Sequence, residues 1–378
     1  MRVKFIDLAR SIAIIFAMFD HSMNDFNVWF DYSFSHYALL KSFTSAATPT
    51  FLFLFGMMLE LVYYKKYQKN GLEGMVPKLV TRSLQCYRGY ILIALAGLIG
   101  GVLTFNRTIA AVLFLSKTHY GNILKLYAVF MLLAIPILII RKKVGIDKIF
   151  FASLCIWFIY PFYDFISISN AHLASLTSVL FGLGGKEGPS VLLSFSLVAA
   201  GMFLSSKISF EKPITFIRTS LVMLLISLTI LVTGIQLIGV GEFIDLFYSN
   251  GFRVANHPIY YVYGLTVALC LSLLCFAIYP FKNPRFVGLE SLMIFSKMSL
   301  EAFTYGNILL NLFYLDIKGL GLGLIGPVCF LFLLYALLRF LEYLIYERKV
   351  ELPFYRNLEG KIVSRVSTFL MRQINLRS

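Results

Sequence analysis

The chain has 378 residues, of which 59% are hydrophobic and only 14% charged, with a mean hydropathy of +0.80. Soluble globular proteins carry about 25% charged residues, so these figures exclude a soluble enzyme, a disordered chain, a coiled coil and a disulfide scaffold, and leave a polytopic membrane protein. The net charge of +15 would favour nucleic acid in a soluble domain; here it reports which loops face the cytoplasm, and no nucleic-acid partner is expected.

A spanning helix needs about 20 mostly apolar residues. Ten segments meet this in chain order: 5–23, 44–64, 83–105, 122–140, 149–168, 190–205, 219–240, 259–281, 289–315 and 321–346. Asp7, Arg10 and Asp20 interrupt the first, and no small-residue cleavage site follows it, so it reads as a retained helix and not a signal peptide. The sixth is short, and the ninth contains Glu290, Lys297 and Glu301. The stretch 107–121 is too short to span and reads as re-entrant or interfacial. With the N-terminus inside, twenty-three Lys and Arg fall in inner segments, six in outer segments and five within spans. The positive-inside bias therefore puts both termini in the cytoplasm. The expected fold is all-α, about ten transmembrane helices, with a membrane domain over 1–346 and a basic tail over 347–378. That tail is weakly amphipathic and is expected on the anionic inner leaflet.

The five cysteines (86, 155, 270, 275 and 329) lie in apolar stretches without metal spacing, so they read as small hydrophobes and no metal is expected. The five histidines all fall at or near the outer side.

Ionisable groups inside a membrane are costly, and are paired or functional. The first helix is richest in them. Arg10 and His21 are eleven residues apart, 20° from in phase and about 16 Å along the axis. Asp7 and Arg10 are an i, i+3 pair. One face thus carries a cation in the inner half and an imidazole near the outer surface, and His is the side chain best suited to general-base work near neutral pH. The bland alternative is a structural Asp7–Arg10 pair with an interfacial His21. Asp20 points about 100° away from His21.

A second cluster, Lys78, Arg82 and Arg88, follows the loop YYKKYQKNGLEG. Clustered cations at a membrane edge grip phosphates, although the positive-inside signal alone explains loop lysines. A third group, Arg253 and His257 at i, i+4 beside Asn256, follows Glu242 and Asp245. It would suit a polar or anionic group outside, and equally a solvated loop. The glycines of LFGLGGKEGP fit no phosphate-binding pattern, and Asn106-Arg107-Thr108 fits a glycosylation sequon by pattern alone.

FIDLARSIAIIFAMFDH, with Arg10 and His21 separated by ten residues, resembles the first-helix signature of the transmembrane acyltransferase superfamily, which includes the acyltransferase 3 proteins and heparan glucosaminide acetyltransferase. The blocks TPTFLFLFGMMLELVYYKK, GLEGMVPKLVTRSLQCYRGYIL, GNILKLYAVFMLLAIPIL and SKMSLEAFTYGNIL follow in the order seen in the periplasmic-glucan succinyltransferase type. The resemblance implies transfer of an acetyl or succinyl group from cytoplasmic acyl-CoA to a sugar hydroxyl outside, in a bacterial inner membrane. It implies His21 as base, Arg10 as its basic partner held by Asp7, and Lys78, Arg82 and Arg88 on the CoA phosphates. Asp20, Arg253 and His257 are candidates for the saccharide acceptor. A succinyl carboxylate would call for an extra cation such as Lys125 or Arg253. Three departures from the family pattern bear on the substrate: Phe55-Gly56 stands where Ser-Gly is usual, Lys297-Met298 stands in place of a Gly, and no His follows Tyr305. Direct transfer needs no acylated His21. The rival reading is a secondary transporter or flippase, which uses the same buried charges but commonly shows repeats; none is visible here. The acyl group, the acceptor glycan and the oligomeric state, a homodimer included, stay open.

Overall fold

The computed structural model describes residues 3–28, 34–166, 168–184, 188–208, 213–280, 288–314, 323–347 and 353–375, and among them there is no strand. Six helical runs are long and apolar enough to cross a membrane: Leu40–Ile99, Asn122–Val144, Ile146–Tyr163, Pro213–Ile238, Pro258–Ile278 and Ile325–Ile345. The difference from ten has physical causes. Helix α1 (Lys4–Asp25) is long enough but carries Asp7, Arg10, Asp20 and Asp25. The expected spans 44–64 and 83–105 share one helical run. The sixth expected span is only Val191–Ser206. The ninth is broken into a 3-10 turn (Gly288–Met293), Ile294–Lys297 and Ser299–Leu312, with non-helical Met298 at the break.

After α1 come α2 (Phe34–Ser45), α3 (Ala47–Met58, continued by a π turn Leu59–Tyr64) and α4 (Lys65–Ile99). The expected loop after residue 64 is helical, but Gly71 at φ 61° breaks the helix. There the chain reverses: Lys66 meets Lys78 and Tyr63 lies beside Arg82, whereas twelve residues of straight helix would span about 18 Å. Glycine supplies this conformation without the Cβ penalty. Next follow α5 (Phe105–Val112), which fills part of the stretch too short to span, α6 (Asn122–Val144) and α7 (Ile146–Cys155). After these come α8 (Ala171–Phe181), α9 (Val191–Ser206), α10 (Pro213–Ile238), α11 (Val240–Tyr248), α12 (Gly251–Val254) and α13 (Pro258–Ile278). The last four are α14 (Ile294–Lys297), α15 (Ser299–Leu312), α16 (Ile325–Glu342) and α17 (Pro353–Asn375).

Helix α1 sits at the centre, packed against α2, α3, α13, α14, α15 and α16. Its polar residues therefore face protein: Asp7, Ser11, Ser22 and Asp25 are all buried. Outer helices invert the soluble pattern. On α10 the apolar residues Leu221, Leu225 and Ile226 are exposed while Ser220 and Ser227 are buried, with the Thr266 hydroxyl donating to Ser227 Oγ at 3.0 Å. Lipid is as apolar as leucine, so small polar residues serve as helix contacts. Helices α3 and α9 approach closely for a related reason. A Cβ on Gly56 would lie 2.0 Å from the Val198 carbonyl oxygen, and one on Gly201 would lie 2.0 Å from that of Phe53. Gly56, one of the departures from the family pattern by its neighbour, thus makes a helix crossing.

Helix α17 packs on α4, with Val363, Val366, Leu370 and Ile374 partly buried against the core, while Ile362 and Phe369 on the same helix stay exposed. Of the cysteines, Cys86 and Cys275 are buried, and Cys155, Cys270 and Cys329 face outward.

Candidate active site at the outer end of the first helix

The His21 ring is turned into the protein. It stacks on Tyr120, with ring centres 4.0 Å apart and 14° between planes. Its Nδ1 lies 2.8 Å from Asn307 Oδ1. The Asn307 amide nitrogen donates to the Phe303 carbonyl oxygen at 2.8 Å, which fixes the amide so that its oxygen faces the histidine. An oxygen there requires a proton on Nδ1, so the Nε2 lone pair is the basic one. Asn311, one turn on, donates to the carbonyl oxygens of Asn307 (2.7 Å) and His119 (3.3 Å).

Tyr120 is itself anchored. Its hydroxyl donates to Asp25 Oδ1 at 2.6 Å and accepts from Asn24 Nδ2 at 2.6 Å. His119 covers its other face, with ring centres 3.8 Å apart. Burial pushes the His119 pKa down to about 4, only partly offset by the nearby Asn311 side chain, which favours the protonated ring. It is therefore neutral at pH 7, and its 3.7 Å approach to Asp25 is not an ion pair at that pH. The ordinary value is 6.5, so between about pH 4 and 6.5 the unfolded chain binds more protons than the folded one. Stability is fully present above pH 6.5 and falls as the pH drops through that window. One proton gives a slope of up to about 1.4 kcal/mol per pH unit, and His119→Gln is expected to flatten melting temperature against pH between 6.5 and 4.5.

The other sequence candidates divide into two groups. The structure gathers Arg10, Lys78 and Arg82 towards the N-terminal half of α1. Tyr63 is within electrostatic reach of both Arg10 and Arg82, and Tyr127, whose hydroxyl donates to the Phe51 carbonyl oxygen at 2.8 Å, is within reach of Arg10. Lys66, which the sequence did not single out, joins Lys78. Cations pressed together in this way suit a polyanion. Arg88 is exposed on α4, about 120° round from Arg82. Asp7, the expected partner of Arg10, accepts from Ser296 Oγ at 3.1 Å. It lines an inner cavity of about 220 Å³ with Lys4, Glu290, Lys297, Arg339 and Glu342. The cations there are balanced: Lys4 pairs with Glu290 at 2.6 Å, and Lys297 and Arg339 pair with Glu342 at 2.6 and 3.0 Å.

Near the C-terminal end of α1, Asp20 accepts from Lys41 at 2.8 Å and from Thr44 at 2.9 Å, which ties α1 to α2. His257 caps α13, its Nδ1 accepting the Ile259 amide at 3.2 Å, and burial pushes its pKa down. Arg253, by contrast, lies within electrostatic reach of His21. Among the described residues no group of three or more His, Cys, Asp or Glu is placed to hold a metal.

Residues 2–181 match the family model of the OpgC protein. The matched segment carries His21, Arg10, Asp7, Lys78, Arg82, Arg88 and Tyr120, and the match agrees with the resemblance to the acyltransferase superfamily, of the periplasmic glucan succinyltransferase type. The OpgC family suggests a membrane acyltransferase acting on glucans. No curated protein and no solved structure matches the chain.

Asn307, Tyr120 and Asp25 were missed by sequence reasoning. The available signal was an amide pair, Asn307 and Asn311, at i, i+4 inside an apolar span, where polar side chains need partners. Asn307→Leu removes the acceptor that sets the tautomer. Transfer is expected to fall about 10–100-fold, the scale seen when a group that orients a histidine is lost, with donor binding retained; kcat measured beside donor affinity checks this.

Proposed function

We propose that the chain takes an acyl group from cytoplasmic acyl-CoA and places it on a hydroxyl of a glucan outside the membrane, with His21 as general base. One observation carries the reading: His21 is held through Nδ1 at the outer end of a central helix, which directs Nε2 away from Asn307, while Arg10 lies on the same helix about 16 Å further in. His21 Nε2 removes the acceptor hydroxyl proton as the oxygen attacks the thioester carbonyl. The carbon–sulfur bond breaks, and the CoA thiolate leaves with the proton returned from His21. General-base help of this kind contributes about 10²–10⁴ in rate. Arg10, about 16 Å further along the helix, is too far to touch that carbonyl and instead contacts the donor on its way to His21. Lys66, Lys78 and Arg82, with Arg88 further round the helix, hold the CoA phosphates.

This reading puts both termini in the cytoplasm of a cell with an inner membrane. It keeps about ten membrane crossings, counting Leu40–Ile99 as two and adding α1, Val191–Ser206 and the broken ninth segment. The break at Met298, like the buried charges, also favours a carrier. Proteoliposomes separate the two readings. With labelled acyl-CoA sealed on the side of the termini and glucan oligosaccharide only on the other, label is expected on the glucan. Intact label or glucan crossing the bilayer without transfer would refute the enzyme reading and support the carrier.

A further inference from the structure

Transfer beside His21 creates a charge that Arg10 cannot reach. As the acceptor oxygen attacks the thioester, the new carbon–oxygen bond pushes an electron pair onto the carbonyl oxygen. An oxyanion in a water-poor site is costly unless a fixed donor meets it. Arg10 is about 16 Å away along α1, so that donor has to come from another element.

Two nearby lysines are already engaged: Lys41 pairs with Asp20 at 2.8 Å, and Lys125 donates from Nζ to the Ser116 carbonyl oxygen at 3.4 Å. Half-buried Arg253 is held differently. Its Nε donates to the Gly188 carbonyl oxygen at 3.1 Å. Its backbone packs so closely on Gly188 that a Cβ there would lie 1.8 Å from the Arg253 carbonyl oxygen. Three residues on, Asn256 Oδ1 accepts from the Ser190 amide at 2.7 Å and from the Tyr261 hydroxyl at 2.8 Å. The short helix α12 that carries Arg253 is thus fastened on both sides. Nε is the nitrogen committed to the fold, and the two terminal nitrogens are the donors a reactant can use.

The neighbours of Arg253 place it at the C-terminal end of α1. It lines a small pocket with Thr48, Asn122 and Lys125. Thr48 comes four residues after the Thr44 that bonds Asp20, the residue before His21. Asn122 stands two residues beyond the Tyr120 on which His21 stacks. Tyr260, in the first turn of α13, lies within electrostatic reach of both Arg253 and Asp20, and Arg253 lies within reach of His21 itself.

We propose that Arg253 is a catalytic residue, whose terminal nitrogens donate to the thioester carbonyl oxygen as it becomes an oxyanion. This rests on the transfer reading above, and it moves Arg253 from the saccharide to the acyl carbonyl. The oxyanion then collapses: its electron pair re-forms the carbonyl, the carbon–sulfur bond breaks, and the proton held by His21 goes to the CoA thiolate. The guanidinium ends the cycle unchanged. Because α12 is fastened before the reactants arrive, no reorganisation is needed as the charge appears.

The test uses the full-length protein in nanodiscs, with glucan oligosaccharide as acceptor and labelled acetyl-CoA or succinyl-CoA as donor, whichever the wild type uses faster. Arg253→Gln is expected to lower kcat about 10²–10³-fold, the scale of losing one oxyanion donor, with the KM of both reactants and the melting temperature close to wild type. Arg253→Ala is expected to regain part of its kcat with added guanidinium and none with urea, an uncharged molecule of similar shape. A raised KM for the oligosaccharide with kcat kept would overturn the assignment and return Arg253 to the acceptor. Wild-type kcat in Arg253→Gln would overturn it as well. So would a loss that guanidinium leaves in place, or one that comes with a lowered melting temperature, since either marks a structural role. Failure of the transfer reading is seen separately, in a wild type that moves no label from either donor to the oligosaccharide, and it would take the assignment with it.

Discussion

Replacing His21 with alanine is expected to lower acyl transfer by about 10²–10⁴-fold while leaving the bundle folded. The ring's contacts are a stack on Tyr120 and one hydrogen bond to Asn307, so its loss removes little of the burial that holds α1. Alanine leaves the Asn307 oxygen without that partner, at about 1–3 kcal/mol. Turnover of labelled acyl-CoA, measured beside a melting curve, separates the two effects. A His21→Gln variant keeps a donor for Asn307 but supplies no base, so it should be equally inactive and more stable. Transfer at the wild-type rate by either variant would remove the catalytic assignment.

The second large effect is on stability. Glu60, buried in the π turn after α3, receives two hydrogen bonds from Arg141 at the end of α6, at 2.8 and 3.2 Å. Arg141 also lies over the Tyr64 ring at 4.4 Å. Removing one partner of a buried pair leaves the other charge uncompensated, at about 3–5 kcal/mol. Glu60→Ala is therefore expected to lower stability by that order. Glu60→Met with Arg141→Met should recover much of it, since an apolar pair of similar volume can replace a buried ion pair. The pair also supports the site: Glu60 stands three residues before Tyr63, which lies beside Arg82 and near Arg10. Glu60→Ala should thus weaken donor binding as well, which a KM measurement at low temperature would show.

The sequence by itself determined the class of protein, because 14% charge over 378 residues cannot cover a soluble surface. It also determined the one helix that matters. Helical geometry places Arg10 and His21 near one face whatever surrounds them, and the interrupting charges that marked this helix are the same charges that keep it outside a hydropathy criterion for spanning. Tertiary structure decided the partners. Asn307 meets His21 across 286 residues and Tyr120 meets Asp25 across 95; no local pattern encodes such pairings, because they depend on which helices pack together. The same holds for the candidates that found other partners. Asp20 is tied to Lys41 and Asp7 accepts from Ser296, contacts that only the packing of separate helices brings about, while His257 caps the helix that follows it. Arg253 reads in sequence as a loop cation; its backbone is packed against that of Gly188, because only a residue without a Cβ lets the two segments meet there.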